Sequence, residues 1–391
     1  MTSRERILNV LNRKTPDRIP WAPLIDGYYL SSVKQKINQV DAIRDFGGDV
    51  FARHIPTFKQ TTANKSLAAT RLGSSEDDNG STNNISYTAG SKGDIEVSIT
   101  EIDGNITEIT KTPLGTLQSK FVRNEISPFI PFPTEHKIKT IEDLKIFRYV
   151  VENLEYEPTY NLFEKEEIYI GSDGLATTTS PSAPFHSLME IEFGIENFYY
   201  MINDYQTELE ELMDVMHERN KEIYKIIAAS PAKVVIDYEN TSTTTQSPAI
   251  YEKYVERQIN DYVDILHKSD KILLIHMCGK LKGLEKQIAR GGMDGIVDIA
   301  PQPTGDVSLG EARRMWGSDK IVMGGIDATA FKGLTPDGMS EYVKDILKDL
   351  GSGEGVLLGS ADATPQGTSI ENLRAVTEVV RECGKYPLNS K

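Results

Sequence analysis

The clearest apolar run in the chain, I-L-L-I at 272–275, ends in His276, Met277, Cys278 and Gly279. Its length and its β-branched residues predict a buried strand, and the two-residue repeat of a strand sends His276 and Cys278 to the same side. Similar short runs at 168–172, 233–237, 295–299, 320–324 and 355–358 are each followed by a stretch with helical spacing. Two earlier strands are expected at 18–26, where prolines punctuate the run, and at 47–51. Helices are predicted over 3–11 and from Ile141, with Thr140 as its cap. Between about 73 and 133 the texture changes to alternating runs dense in Gly, Ser, Asn and Thr, with Asp103-Gly104 as a two-residue hairpin signal. The expectation is one (β/α)8 TIM barrel of α/β class over 1–391, carrying an antiparallel β insertion at about 73–133. A doubly wound open sheet is the alternative.

Composition narrows the partners. The 391 residues carry Lys plus Arg 43 against Asp plus Glu 58, a net charge of -15, which disfavours nucleic acid and anionic membranes. No apolar run approaches a membrane span and the first residues form no signal region, so a cytoplasmic protein is expected. With 2 cysteines, Cys278 and Cys383, there is no disulfide framework, in keeping with a reducing compartment. The chain has no phosphate-binding loop and no serine elbow, and Gly351, Gly353 and Gly355 precede a strand, which makes them a turn and not a dinucleotide fingerprint.

In a barrel, chemistry is carried by the C-terminal ends of the strands. Those ends supply Asp26, Asp173, Asp237 with Glu239, His276 with Cys278, Asp298, Asp327 and Asp362. Asp173 and Asp327 read as cap or loop residues, and the remaining histidines as structural, with His54 near enough to a strand end to reach the site. His276 and Cys278 make half of a zinc site of the catalytic kind, in which three protein ligands leave one position open.

The motifs at 276–279 (His276, Cys278, Gly279), 294–298, 322–327, 359–362 and 368–373, with the opening residues 4–6 and 16–20, resemble the uroporphyrinogen decarboxylase superfamily, and within it the cobalamin-dependent methyltransferase branch. The resemblance implies a zinc-dependent methyltransferase that moves a methyl group between a small methylated substrate, such as a methoxylated aromatic, and a corrinoid held on a partner protein. A homodimer is expected on the same ground. Decarboxylases of the superfamily carry an arginine-rich segment after the first strand; here that stretch, 24–30, holds no arginine. Where the methyltransferases place a third, cysteine ligand, this chain has Asp362, which zinc also accepts. The implied metal ligands are His276, Cys278 and Asp362, with Glu239 as a further or alternative one, and Asp26, Tyr28, Tyr238 and Asp298 are expected to line the substrate site. A decarboxylase of a non-porphyrin acid and a non-catalytic binding barrel are the alternatives.

Overall fold

The computed structural model describes residues 1–33, 37–60, 85–90, 94–125 and 131–388; residues 73–84, 91–93 and 126–130 of the expected insertion lie outside them. The chain divides into two compact units, one formed by 1–55, 161–180 and 231–391, the other by 56–160 and 181–230.

The first unit is built on a parallel sheet of seven strands taken in chain order: β1 (Val50–Ala52), β2 (Gly174–Ser180), β3 (Val234–Tyr238), β4 (Ile272–His276), β5 (Gly295–Ile299), β6 (Ile321–Ile326) and β7 (Val356–Ser360). The four central strands β3 to β6 and β7 fall where their apolar runs predict them. Two expectations fail. The run at 18–26 does not form a strand: Trp21 and Leu24 make single parallel bridges to Leu358 and Ala363, and Pro20 and Pro23 lack the N–H groups that a full ladder needs. The run at 168–172 ends the helix Tyr160–Ile170, whose Ile168 is 81% exposed. The true strand that follows, G-L-A-T-T-T-S, has small and Thr residues in place of a long apolar run. Asp173 therefore precedes β2, at the end opposite to the expected one, where its carboxylate accepts from Arg44 Nε.

Side chains that alternate along all seven strands meet in one core: Phe51, Leu175, Val234 with Ile236, Ile272 with Leu274, Val297, Ile321 with Met323, and Leu357. Ile7, Val10 and Leu11 of helix α1 (Ser3–Leu11) enter the same cluster, so α1 covers the N-terminal ends of the strands. Below the core, Asp49 is fully buried and accepts from Arg6, Arg18 and the Trp21 N–H, which ties the 18–21 segment to β1. Residues one strand period above the core, among them His276 above Leu274 and Tyr238 above Ile236, stand at the C-terminal ends.

The second unit contains a five-stranded antiparallel sheet running from Ile85–Gly90 through Glu96–Ile102, Asn105–Thr112 and Gly115–Val122 to Phe132–Glu135. Ile102 pairs with Asn105, and Asp103 and Gly104 between them have φ of 50° and 74°, the two-residue turn that the dipeptide signals. The long helix Gln206–Ala228 belongs to this unit as well. Among the described residues no helix is long and apolar enough to cross a membrane.

Candidate metal centre

His276 is the last residue of β4 and Cys278 follows two residues later. The Met277 N–H still bonds to Val297 O, which carries the strand geometry one residue further and keeps the imidazole and the thiol on one side. Gly279 then turns the chain where a Cβ would press on Ser242 and on Thr241 O. Asp362 lies two residues beyond β7, with Oδ1 accepting the Ala363 N–H at 2.7 Å. One ligand atom from each of His276, Cys278 and Asp362 lies within 4.8 Å of the others, and among the described residues this is the one group of its kind. Ligand atoms around tetrahedral zinc stand about 3.3–3.8 Å apart, given bonds of about 2.0–2.3 Å, so small side-chain rotations close the shell.

Glu239 is not in that group. It follows Tyr238, the last residue of β3, and alternation gives it the opposite face: Tyr238 faces the core side, while Glu239 is fully buried and its charge acts on the phenol of Tyr251.

Behind His276 stands Asp298. Its Oδ2 lies 2.7 Å from His276 Nδ1, and Arg53 donates to both of its oxygens, at 2.5 and 2.8 Å. Burial pushes the Asp298 carboxyl up, but the Arg53 charge and the His276 hydrogen bond outweigh it and hold the group well below the usual carboxylate range. An ionised carboxylate can only accept, so His276 Nδ1 carries the hydrogen and Nε2 is the nitrogen left for a metal. Burial opposes charge on His276, yet Cys278 and Asp298 together raise its proton affinity well above that of a free histidine. Asp298, expected as a substrate contact, has both oxygens taken by protein partners and no exposed surface.

The local backbone explains how Asp298 reaches inward. β5 pairs with β6 as Ile296 to Val322 and then Ile299 to Gly324, so β5 has one extra residue. This bulge puts Asp298 at φ 65°. His54 (φ 64°) and Asn240 (φ 47°), just beyond the ends of β1 and β3, share the left-handed conformation that ordinary residues avoid.

Tyr238 and His54 complete one side. The Tyr238 ring stands 4.9 Å from the His276 ring and 4.7 Å from the His54 ring. His54 bridges Thr179 Oγ1 and the Tyr238 hydroxyl, each at 3.2 Å. Burial, with Arg53 and His276 adding to it, pushes His54 down to about 3, so the ring is neutral. Arg53 is the residue that sequence reasoning missed. Its signal was its place, directly after the β1 run, on the strand-end surface that also carries His276 and Cys278.

Asp26 caps helix α2 (Gly27–Leu30) by accepting the Tyr28 N–H at 2.9 Å, which sets Tyr28 in the first turn. Burial, together with Asp362, raises the Asp26 carboxyl from 3.8 to about 7 despite the hydrogen bond from Tyr28. The folded value lies above the unfolded one, so ionisation of this group works against folding: the Asp26 contribution to stability is fully present below about pH 4 and is lost as pH rises towards 7. Asp26→Asn keeps the cap, because asparagine caps as well as aspartate. In metal-free protein the variant is expected to melt higher than the parent at pH 8, by the equivalent of about 1–2 kcal/mol after discounting for partial exposure, and to match it at pH 4. An equal offset at both pH values would contradict this assignment.

The family model of uroporphyrinogen decarboxylase (URO-D) matches residues 119–383. No curated protein matches the chain. Among solved structures, a methyltransferase from Methanosarcina mazei has 14% identity over 98% of this chain and 99% of that chain, with a TM-score of 0.58, a likeness of fold. The spore cortex-lytic enzyme SleL of Bacillus megaterium (10% identity, 59% of this chain and 64% of that chain, TM-score 0.33) and D-psicose 3-epimerase of Clostridium cellulolyticum (11%, 57% and 83%, 0.31) are too distant to carry an argument.

Proposed function

The chain belongs to the uroporphyrinogen decarboxylase family, and we propose that it is a zinc methyltransferase of that family, moving a methyl group between a small methylated substrate and a corrinoid held on a partner protein. The observation that carries this reading is the meeting of an imidazole, a thiol and a carboxylate within 4.8 Å at the C-terminal ends of β4 and β7. Three ligands of these types with one open position suit a catalytic zinc. Bound there, zinc would act as a Lewis acid on the oxygen, nitrogen or sulfur that carries the methyl group. The reading takes the sheet as closing into an eightfold barrel through Trp21, which bridges to Leu358 of β7, and Leu24, which bridges to Ala363 just beyond it, while the Trp21 carbonyl accepts the Asp49 N–H beside β1.

The chain's own residues have distinct tasks. His276, Cys278 and Asp362 hold the metal, and Asp298 fixes the imidazole. In the metal-free protein burial and Asp362 raise the Asp26 carboxyl to about 7, and we assign Asp26 as the proton donor to the departing oxygen of an O-methyl substrate. The Tyr238 ring, 4.9 Å from the His276 ring, offers an aromatic face, and with Tyr28 assigned to the same wall it would suit a methoxylated aromatic. Decarboxylation of a polyacid is disfavoured because Arg53, a buried cation at this end of the sheet, is committed to Asp298, while Asp362 faces any added carboxylate.

The test is to mix the protein with a reduced corrinoid protein and a panel of methoxylated aromatics, methylamines and methylthiols, and to follow the absorbance of methyl-cobalt. Methylation by at least one donor is expected. Silence across the panel with zinc-loaded protein would overturn the proposal.

A further inference from the structure

We infer that Arg53 is a positioning residue of the metal centre: by gripping both oxygens of Asp298 it fixes the tautomer and the aim of His276. The inference rests on the zinc reading above. Arg53 follows β1 and Asp298 lies in β5, with β2, β3 and β4 between them in the sheet, so the pair reaches across the side of the sheet that carries the core. Both side chains are buried, at 1% and 0% exposure. A fully buried ion pair gives little net stability compared with apolar residues of the same volume. What this pair supplies is geometry. The guanidinium can only donate, and with two parallel N–H groups it leaves Asp298 an ionised acceptor in one orientation. Asp298 Oδ2, which also accepts from Arg53, then takes the hydrogen of His276 Nδ1. Nε2, the nitrogen that Asp298 does not engage, is left for a metal shared with Cys278 and Asp362, one ligand atom of each residue lying within 4.8 Å of the others.

The backbone is arranged for the same end. The extra residue in β5 and the left-handed φ at Asp298 keep its carboxylate between Arg53 and His276, and such strain persists only where the surroundings enforce it. Partners of a metal-bound histidine of this kind are worth about 10–100-fold in metal affinity.

Zinc affinity of the full chain, measured by competition with a chromophoric chelator, reads this role without any turnover. Arg53→Met and Asp298→Asn are each expected to weaken zinc binding by about 10–100-fold, and the double variant by no more than the weaker of the two, because both act through one chain of contacts. Wild-type affinity in folded Arg53→Met, or losses that multiply in the double variant, would overturn the inference. A second readout needs no Arg53 variant: nitrogen-15 spectra of the zinc-loaded parent, with His276 assigned by His276→Gln. Protonated Nδ1 and metal-bound Nε2 are expected; the reverse arrangement overturns the inference. If the parent binds no zinc at all, it is the zinc reading that fails.

Discussion

Replacing His276 with alanine is expected to strip the protein of zinc while leaving it folded. The imidazole is the most buried of the three ligands, and Nε2 is the donor that Asp298 prepares. Without it, Cys278 and Asp362 remain, two half-buried ligands after separate strands, and zinc affinity should fall by at least about 100-fold. The fold survives because Asp298 keeps both hydrogen bonds from Arg53, so no buried charge is left alone; the loss of one hydrogen bond and the small cavity should cost about 1–3 kcal/mol. Chelator competition and circular dichroism on the same sample separate the two effects. Unchanged zinc affinity would remove His276 from the ligand set.

Gly324→Ala is expected to damage the centre from beneath, without touching a ligand. Gly324 sits in β6 opposite the bulge, at φ 132°, and a Cβ there would come within 2.5 Å of Ile299 N and 2.7 Å of Ile299 O. Those atoms are backbone, so relief requires the bulge itself to move, and the bulge aims Asp298. A loss of about 3 kcal/mol or more in stability is expected, from overpacking added to the cost of the unfavourable φ. In whatever fraction remains folded, zinc binding should weaken as it does in Asp298→Asn. A thermal melt equal to the parent's would show that the bulge tolerates a side chain and that Gly324 has no such role.

The strand-end logic was legible because it depends on a period of two. I-L-L-I-H-M-C fixes the common side of His276 and Cys278 with no knowledge of the partners, and the same parity, applied to Asp237, Tyr238 and Glu239, separates Tyr238 from Glu239. Asp362 was reached through family resemblance, since nothing in the local pattern of G-S-A-D marks a ligand. The strand at Gly174–Ser180 was hidden because its small and Thr residues present no long apolar run, whereas the apolar residues just before it belong to the end of a helix. The partnership of Arg53 with Asp298 joins positions 245 residues apart, and its geometry depends on a bulge that no composition signal announces. Local periodicity therefore places His276 and Cys278, while the contacts that orient them emerge from the tertiary structure.

Elemental analysis of protein purified without a histidine tag, alongside His276→Ala prepared in the same way, tests the central claim most directly. About one zinc ion per chain in the parent and little or none in the variant is the expected result. Equal, substoichiometric metal in both would contradict a zinc centre at His276, Cys278 and Asp362.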